Sequence, residues 1–174
     1  MRIANSASLN SPTNAITIMA IMNVKSFYMG NCGGNLIVGK GAPDDIDGQY
    51  ILRAKFQGGC NITVDPTKEL FQGAYGNLST KADATDVSFV TPNKWYNVIF
   101  TYENGVSKIY VDGKLTFSKT GPQTLFTANS QDMFIGKHED LASPYPFGGM
   151  IDEVRIYKRA VCQGEVNQLN KLQN

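Results

Sequence analysis

Carboxylates concentrate in two loop-like stretches of the sequence. Asp44, Asp45 and Asp47 lie in the first stretch, KGAPDDIDG, and Glu139 and Asp140 lie in the second, KHEDLASPYPFGG. Calcium prefers about six to eight oxygen ligands, which loops rich in carboxylates and backbone carbonyls supply. The two stretches therefore predict calcium ligands at Asp45, Asp47, Glu139 and Asp140. The alternative is that they are solvated turn residues, because Asp and Gly are common in hairpins of every kind.

Aromatic residues in loop-like segments are candidates for sugar binding, in which a ring stacks on a pyranose face beside a few polar groups. Tyr145, flanked by two prolines, is expected to be the best exposed ring, with His138 as a hydrogen-bonding neighbour. Tyr28 and Tyr75 are the weaker candidates. These four residues form the predicted ligand-binding set.

Catalytic chemistry finds little support in the sequence. Retaining hydrolysis of a glycoside needs two carboxyl groups roughly 5 Å apart, which alternate positions on one strand face can supply. Asp152 and Glu153 are adjacent in the sequence, so a strand would place them on opposite faces. His138 is the single histidine and has no recognisable Ser or Cys partner for a nucleophilic triad. We therefore expect a protein that is not an enzyme.

Three cysteines leave at least one thiol unpaired if a disulfide forms within the chain. Cys32 and Cys60 precede apolar runs, and an antiparallel meander would bring both to the same end of a sheet. A disulfide between them is one interpretation. Two buried free thiols in a reducing compartment are the other.

The composition limits the classes of partner. A chain of 174 residues, with 42% hydrophobic and 18% charged residues, suits one domain that buries its own core. A net charge of +1 provides no basic field for nucleic acid. No apolar run reaches the ~20 residues needed to cross a bilayer, so membrane insertion is not expected.

The elements that position these residues are predicted to be strands. The organising stretch is 95–117, WYNVIFTYENGVSKIYVDGKLTF, which begins with alternating apolar and polar residues. This period of two is typical of a half-buried strand. The Asn-Gly and Asp-Gly pairs that follow tolerate the positive φ of tight hairpin turns. The stretch therefore predicts a three-stranded antiparallel meander.

Short strands and one helix are predicted in the rest of the chain. The further strands are expected at 15–22, 35–39, 49–55, 87–90, 132–136 and 150–157. Residues 66–86 show no sustained period. Apolar residues at a spacing of three over 163–172 predict a helix, and Cys162 and Glu165 occupy the positions of a capping box. The pattern predicts an all-β fold, a two-sheet antiparallel β-sandwich or jelly roll with one short C-terminal helix.

Three successive segments form a more specific pattern. They are NKWYNVIFTYENGVSKIYVDGKL, DMFIGK and PFGGMIDEVRIYKRAV, the last followed by the predicted helix. Together they resemble the laminin G-like, concanavalin A-like lectin/glucanase jelly roll domain of bacterial secreted and surface proteins, over roughly residues 15–172. The resemblance implies two antiparallel sheets packed face to face and a core role for Trp95 and Phe147. It also favours the disulfide between Cys32 and Cys60.

The resemblance bears on catalysis, metal binding and domain boundaries. Glucanases of this architecture carry Glu-x-Asp-x-x-Glu or a shorter relative on one strand, and neither motif occurs here. Pentraxins, which are distant relatives, hold calcium in acidic loops at places similar to the two acidic stretches of this sequence. In the second stretch, His138 of this chain stands where pentraxins have an acidic ligand. Related domains usually begin with a strand beside the equivalent of residues 149–157. Only Met1 and Arg2 precede the matching segment here, which implies a single domain, 1–174, excised from a larger protein, and leaves open whether that sheet edge is unpaired.

We therefore expect a non-catalytic, secreted or cell-surface module that binds carbohydrate, with or without calcium as cofactor. The alternative is a protein–protein adhesion module of a surface protein, and a glycoside hydrolase is the third and least favoured hypothesis. The expected partners are a glycan or an extracellular protein, together with other domains of a larger parent protein.

Overall fold

Two antiparallel sheets pack face to face, and one short helix lies on the outside of one of them. This computed structural model describes residues 1–30, 34–41, 49–57, 68–76, 81–121, 123, 128–138 and 144–173. The predicted all-β sandwich with a C-terminal helix is confirmed. None of the described helices is long and apolar enough to span a lipid bilayer.

The strands divide between a six-stranded sheet A and a five-stranded sheet B. In chain order they are β1 (Arg2–Ile3), β2 (Ala15–Ser26), β3 (Asn35–Lys40), β4 (Gln49–Phe56), β5 (Glu69–Gly76), β6 (Lys81–Thr85), β7 (Trp95–Glu103), β8 (Val106–Val111), β9 (Lys114–Thr120), β10 (Met133–Ile135) and β11 (Gly148–Tyr157). Sheet A has the order β1-β10-β3-β4-β5-β6, and sheet B has the order β11-β2-β7-β8-β9. The helix α1 (Gln163–Asn170) leads into a 3-10 turn (Lys171–Gln173).

The predicted meander is confirmed as β7, β8 and β9. Asn104 and Asp112 have φ of 50° each, and Gly105 and Gly113 have φ of 82° and 79°. These left-handed conformations are what two-residue hairpin turns require. The turns fix the register of three neighbouring strands in sheet B.

Two predictions around β5 and β6 need correction. Residues 87–90 do not form a strand, and Val87 and Phe89 are 67% and 43% exposed. The stretch 66–86, for which no period was evident, contains β5 and β6. Gly73 interrupts the apolar pattern of β5 because a Cβ there would lie 2.1 Å from the Phe100 ring in sheet B. Close approach of the two sheets therefore explains the weak sequence signal.

The main core lies between the sheets and is built from alternate residues of both. Its fully buried members include Ile16, Ile18, Met22, Val38, Leu52, Phe71, Val98, Phe100, Tyr102 and Ile109. Because successive residues of a strand point to opposite faces, the intervening residues form two outer faces. The two outer faces are covered in different ways.

Helix α1 covers the outer face of sheet B. Val166 of the helix and Val161 before it pack with Met19, Ile21 and Ile99. The predicted capping box is present, because the Cys162 backbone N–H donates to a Glu165 carboxylate oxygen at 3.0 Å.

Strand β11 forms one edge of sheet B, because within the described residues it is hydrogen-bonded only to β2. The register shifts between Ile151 and Glu153, so Asp152 occupies a β-bulge. Bulges and charged residues are common devices that limit pairing between exposed edges. Among the described residues, β11 is therefore an edge strand of sheet B.

Candidate ligand-binding face

An ordered set of polar side chains lies on the outer face of sheet A. Leu36 pairs with Arg53, Arg53 with Gln72, and Gln72 with Thr85 across four adjacent strands. Directly paired residues of an antiparallel sheet project from the same face. We call the polar part of this line, Arg53, Gln72 and Thr85, together with Asp83 beside it, the outer row.

Hydrogen bonds hold the outer row in one arrangement. Arg53 Nε donates to Gln72 Oε1 at 2.9 Å, and Gln72 Nε2 donates to Thr85 Oγ1 at 3.2 Å and to Asp83 Oδ2 at 3.3 Å. Lys119 of β9 reaches Asp83 Oδ1 at 3.0 Å. Gln72 is only 4% exposed, so its amide orients the more accessible groups on either side. Such a network presents fixed donors and acceptors at little entropic cost to a ligand.

An apolar cluster adjoins the outer row on the same face. Its buried members are Leu36, Ile51, Ala74, Phe134 and Tyr145. The segment that carries Tyr145 is tied to β3, because Leu36 N–H donates to the Tyr145 carbonyl at 3.0 Å. A Cβ at Gly34 would lie 2.5 Å from the Tyr145 ring. A glycine at that position therefore leaves room for the Tyr145 ring in the cluster.

Tyr145 is 2% exposed, so the expectation that it is the best exposed ring is wrong. Its ring covers apolar side chains that would otherwise face water. Tyr28 packs edge-on against it, with ring centroids 6.5 Å apart, and stays partly exposed. His138 packs on Phe134 with centroids 4.8 Å apart, and its backbone N–H donates to the Pro144 carbonyl at 2.8 Å. Three of the four predicted ligand residues thus gather on one face.

Tyr75, the fourth predicted residue, lies on the other side of sheet A. It is 1% exposed and stacks on Tyr102 of sheet B with centroids 4.9 Å apart, so the expectation of a loop-borne ring is wrong. The core role implied for Trp95 is also wrong, since this residue is 39% exposed on the outer face of sheet B. Phe147 is partly buried and packs against the main core, as expected.

A buried carboxyl group supports the segment that carries Tyr28. Asn35 Nδ2 donates to Glu69 Oε1, and Asn35 Oδ1 accepts the Tyr28 backbone N–H at 2.8 Å. Glu69 is fully buried, and burial raises the pKa of its carboxyl group to about 9. The group is therefore protonated at neutral pH and acts as a structural hydrogen-bonding partner.

The predicted calcium ligands and the predicted disulfide lie outside the described residues. Asp44, Asp45, Asp47, Glu139, Asp140, Cys32 and Cys60 all fall in the gaps of the described ranges. Both predictions therefore stay predictions. In the part of the chain that the structure describes, no group of three His, Cys, Asp or Glu side chains is placed to hold a metal ion. Cys162, which is described, is an exposed free thiol.

Sequence reasoning did not identify the outer row. Arg53 is a polar residue within the apolar run of β4, at a position that alternates with inward-facing residues. Such alternation is the signal of an outward-facing side chain. Gln72 lies in the stretch for which no period was evident. Only the pairing of the three strands β4, β5 and β6 brings these residues together.

The sequence of the chain matches a known protein family. A family model described as the concanavalin A-like lectin/glucanases superfamily matches residues 2–167. A comparison with curated protein sequences gives no match.

Several solved structures share the fold at low sequence identity. A candidate carbohydrate-binding protein from Bacteroides ovatus is 24% identical with a TM-score of 0.69, and the similarity covers 96% of this chain and 43% of that protein. The CBM40 domain of a Ruminococcus gnavus IT-sialidase, bound to α2,3-sialyllactose, is 15% identical with a TM-score of 0.69 over 97% of this chain and 95% of that one. Domain 4 of an extracellular arabinanase from Geobacillus stearothermophilus, in complex with arabinotriose, is 20% identical with a TM-score of 0.64 over 91% and 67%. At these identities the similarity establishes the fold alone.

Proposed function

The chain belongs to the concanavalin A-like lectin/glucanases superfamily, and we propose that it is a non-catalytic carbohydrate-binding module whose ligand lies on the outer face of sheet A. The observation that carries the proposal is the outer row, a hydrogen-bonded line of side chains beside the partly exposed ring of Tyr28. Sugars are bound by such sets, in which polar groups meet the hydroxyls and a ring meets the apolar face.

The polar chemistry of the outer row suits neutral hydroxyl groups. Thr85 provides a hydroxyl and Arg53 a guanidinium at the centre of the sheet, and the buried amide of Gln72 orients both. The charge of Asp83 is balanced by Lys119, which contacts the same carboxylate. The structural relatives bound to arabinotriose and to sialyllactose support a glycan as ligand. Which glycan this chain binds is left to the experiment.

The arrangement of carboxylates supports a role in binding rather than in hydrolysis. Among the described residues, the outer row includes one carboxylate, Asp83, and both of its oxygens accept hydrogen bonds from Lys119 and Gln72. A retaining glycosidase needs two carboxyl groups roughly 5 Å apart flanking the scissile bond. Asp152 occupies the bulge in the distant edge strand β11.

Calcium dependence and an extracellular location are part of the proposal and rest on the sequence. The acidic loop containing Asp45 and Asp47 joins β3 to β4, and Glu139 and Asp140 follow β10, which is the neighbour of β3 in sheet A. Both loops therefore leave strands of the sheet that carries the outer row. Glycan binding that weakens on removal of calcium would support the assignment of calcium ligands to these loops.

The proposal is tested by isothermal titration calorimetry with arabinotriose, α2,3-sialyllactose and a panel of plant and bacterial oligosaccharides, each with calcium and with EDTA. We expect one or more to bind, and we expect Arg53→Ala and Gln72→Ala each to weaken that binding by about tenfold, the worth of one or two lost hydrogen bonds. Lys108→Ala removes a basic residue from the outer face of sheet B and should leave the affinity unchanged.

Two results would overturn the proposal. One is an absence of binding across the panel and a broad glycan array, combined with saturable binding to a protein partner, which would favour the adhesion module. The other is glycan binding that neither outer-row substitution weakens.

A further inference from the structure

A second concave site lies between the sheets, at the edge where β6 ends. The segment 86–94, which connects β6 to β7, forms one wall, and the β8–β9 hairpin forms the other. Phe71 and Tyr96 lie at its base, with their rings edge-to-face and centroids 5.2 Å apart. We call this site the hairpin groove.

Polar groups converge on the hairpin groove from both walls. Asp86 lines it although the residue is 3% exposed, and its Oδ1 accepts the Val87 backbone N–H at 2.7 Å. Burying a carboxylate costs free energy unless other groups stabilise it. Thr91 lies on the same wall, and Thr116 contributes a hydroxyl from the hairpin.

The charges in the hairpin groove are balanced. Lys94 forms an ion pair with Asp112 at 3.0 Å, and its Nζ also lies 4.5 Å from the centroid of the Tyr96 ring. The charged lining residues that remain are one carboxylate, Asp86, and one ammonium group, Lys114. Outside the lining residues, Lys68 Nζ lies 5.5 Å from the centroid of the Phe89 ring. The lining residues themselves carry no net charge, which favours a neutral ligand over an anion or a cation.

An exposed aromatic ring completes the site. Phe89 lines the groove and is 43% exposed. It belongs to the segment 87–90, for which the sequence predicted a strand. An aromatic ring beside several hydroxyl, carboxylate and ammonium groups is the combination that recognises a sugar. The groove volume of 290 Å³ is at the lower end for small-molecule sites, roughly 300–1,000 Å³, so it suits a single ring.

The hairpin groove begins where the outer row ends. Thr85 is the last residue of β6 and the last polar member of the row, and Asp86 follows it directly in the chain. The contact between Asp83 and Lys119 joins the same edge of sheet A to β9, whose first residues line the groove. A chain of sugars that lies along the outer row could therefore continue around the β6 edge.

We propose that the hairpin groove is a second carbohydrate subsite, which binds one neutral sugar ring through Phe89, Asp86 and Thr116. This inference rests on the proposed function and extends it to a defined second position. Two adjoining subsites would make affinity rise with the length of the oligosaccharide, because the second contact becomes intramolecular.

The test is backbone amide NMR of the folded protein titrated with arabinotriose and with neutral tri- and hexasaccharides of glucose, xylose and mannose, to millimolar concentrations. We expect one of these probes to shift the amides of Ser88, Thr91 and Thr116 in a saturable manner. Shifts in the outer row alone would overturn the second subsite and leave the proposed function intact. Shifts in the groove alone would support a sugar site in the groove and overturn the placement of the ligand on the outer face of sheet A. Shifts in neither region with any probe would overturn both.

Substitutions separate a direct contact from an indirect effect. Phe89→Ala should weaken the groove titration by roughly five- to tenfold, the effect of a lost aromatic contact. Val87→Ala, at a residue of the same segment that is 67% exposed and does not line the groove, should leave it unchanged. Asp86→Asn keeps an acceptor for the Val87 N–H and should also weaken binding. Equal affinities at the groove for Phe89→Ala and Val87→Ala would overturn the inference.

Discussion

The two outer faces of the sandwich differ in what covers them. On sheet B, α1 and the residues before it cover an apolar set that includes Met19, Ile21 and Ile99. On sheet A, the ring of Tyr145 covers a smaller apolar cluster, and the outer row beside it is polar. The same alternation of residues along strands therefore produces one face whose apolar centre is covered by a helix and one face whose polar residues bond to one another.

The difference shows how a sandwich can separate stability from recognition. An apolar outer face must be covered, because exposed apolar area costs roughly 25 cal/mol per Å². A polar outer face whose groups hydrogen-bond to one another has no such requirement, as the outer row illustrates. Substitutions on the two faces should therefore have different consequences.

The largest expected effect compares one residue from each of the two outer faces. Met19 is fully buried beneath α1, and Met19→Ala should lower the free energy of unfolding by about 2–5 kcal/mol, because it leaves a cavity. Thr85→Ala, in the outer row, removes one hydrogen bond to Gln72 and should lower it by only about 0.5–1.5 kcal/mol. Urea unfolding of both variants measures the two values. Equal losses would show that the outer row is as important for stability as the covered face.

The next effect concerns a carboxyl group buried within sheet A. The pKa of Glu69 is raised from 4.5 to about 9, so the folded state holds a proton that the unfolded state releases above pH 4.5. The stability is therefore fully present below pH 4.5 and is lost as the pH rises towards 9, by about 3 kcal/mol between pH 5 and neutrality. Denaturant unfolding at several pH values should show this decline, and Glu69→Gln should abolish it. An unchanged decline in the variant would assign the pH dependence to another group.

The smallest effect concerns the helix that closes sheet B. Arg159 and the Cys162 backbone N–H lower the pKa of Glu165 to about 2. This contribution to stability is present above the ordinary pKa of 4.5 and is lost as the pH falls towards 2, the opposite direction to that of Glu69. Because the pair is exposed, Glu165→Gln should lower the melting temperature slightly at pH 7 and hardly at all at pH 2. Glu103→Gln, at the exposed end of β7, is the control.

The sequence predicted the sandwich because alternation and turn residues are local signals. Strands β7, β8 and β9 lie where the Asn-Gly and Asp-Gly pairs required them. Strand β5 was missed because Gly73 makes room for Phe100, a partner that lies in the other sheet. Residues 87–90 have a strand-like composition, yet three of them, Val87, Ser88 and Phe89, are exposed.

The candidate site was less predictable because it depends on contacts between distant residues. A tyrosine between two prolines is typical of an exposed loop, but Tyr145 covers the apolar cluster of sheet A. Arg53, Gln72 and Thr85 are far apart in the sequence and become neighbours only through the register of three strands. Tyr28 and His138 were predicted from residue type, and both lie on that same face.

The position of β2 has a consequence for how the chain acquires its fold. This long early strand lies between β7 and β11, and its first partner emerges from the ribosome only after residue 95 and its second only after residue 148. Pairing between segments so far apart in sequence is slow, whereas the β7–β8–β9 hairpins can close locally. The apolar residues of β2 therefore stay unpaired until segments at least 69 residues further along the chain are available, which favours a late collapse of sheet B.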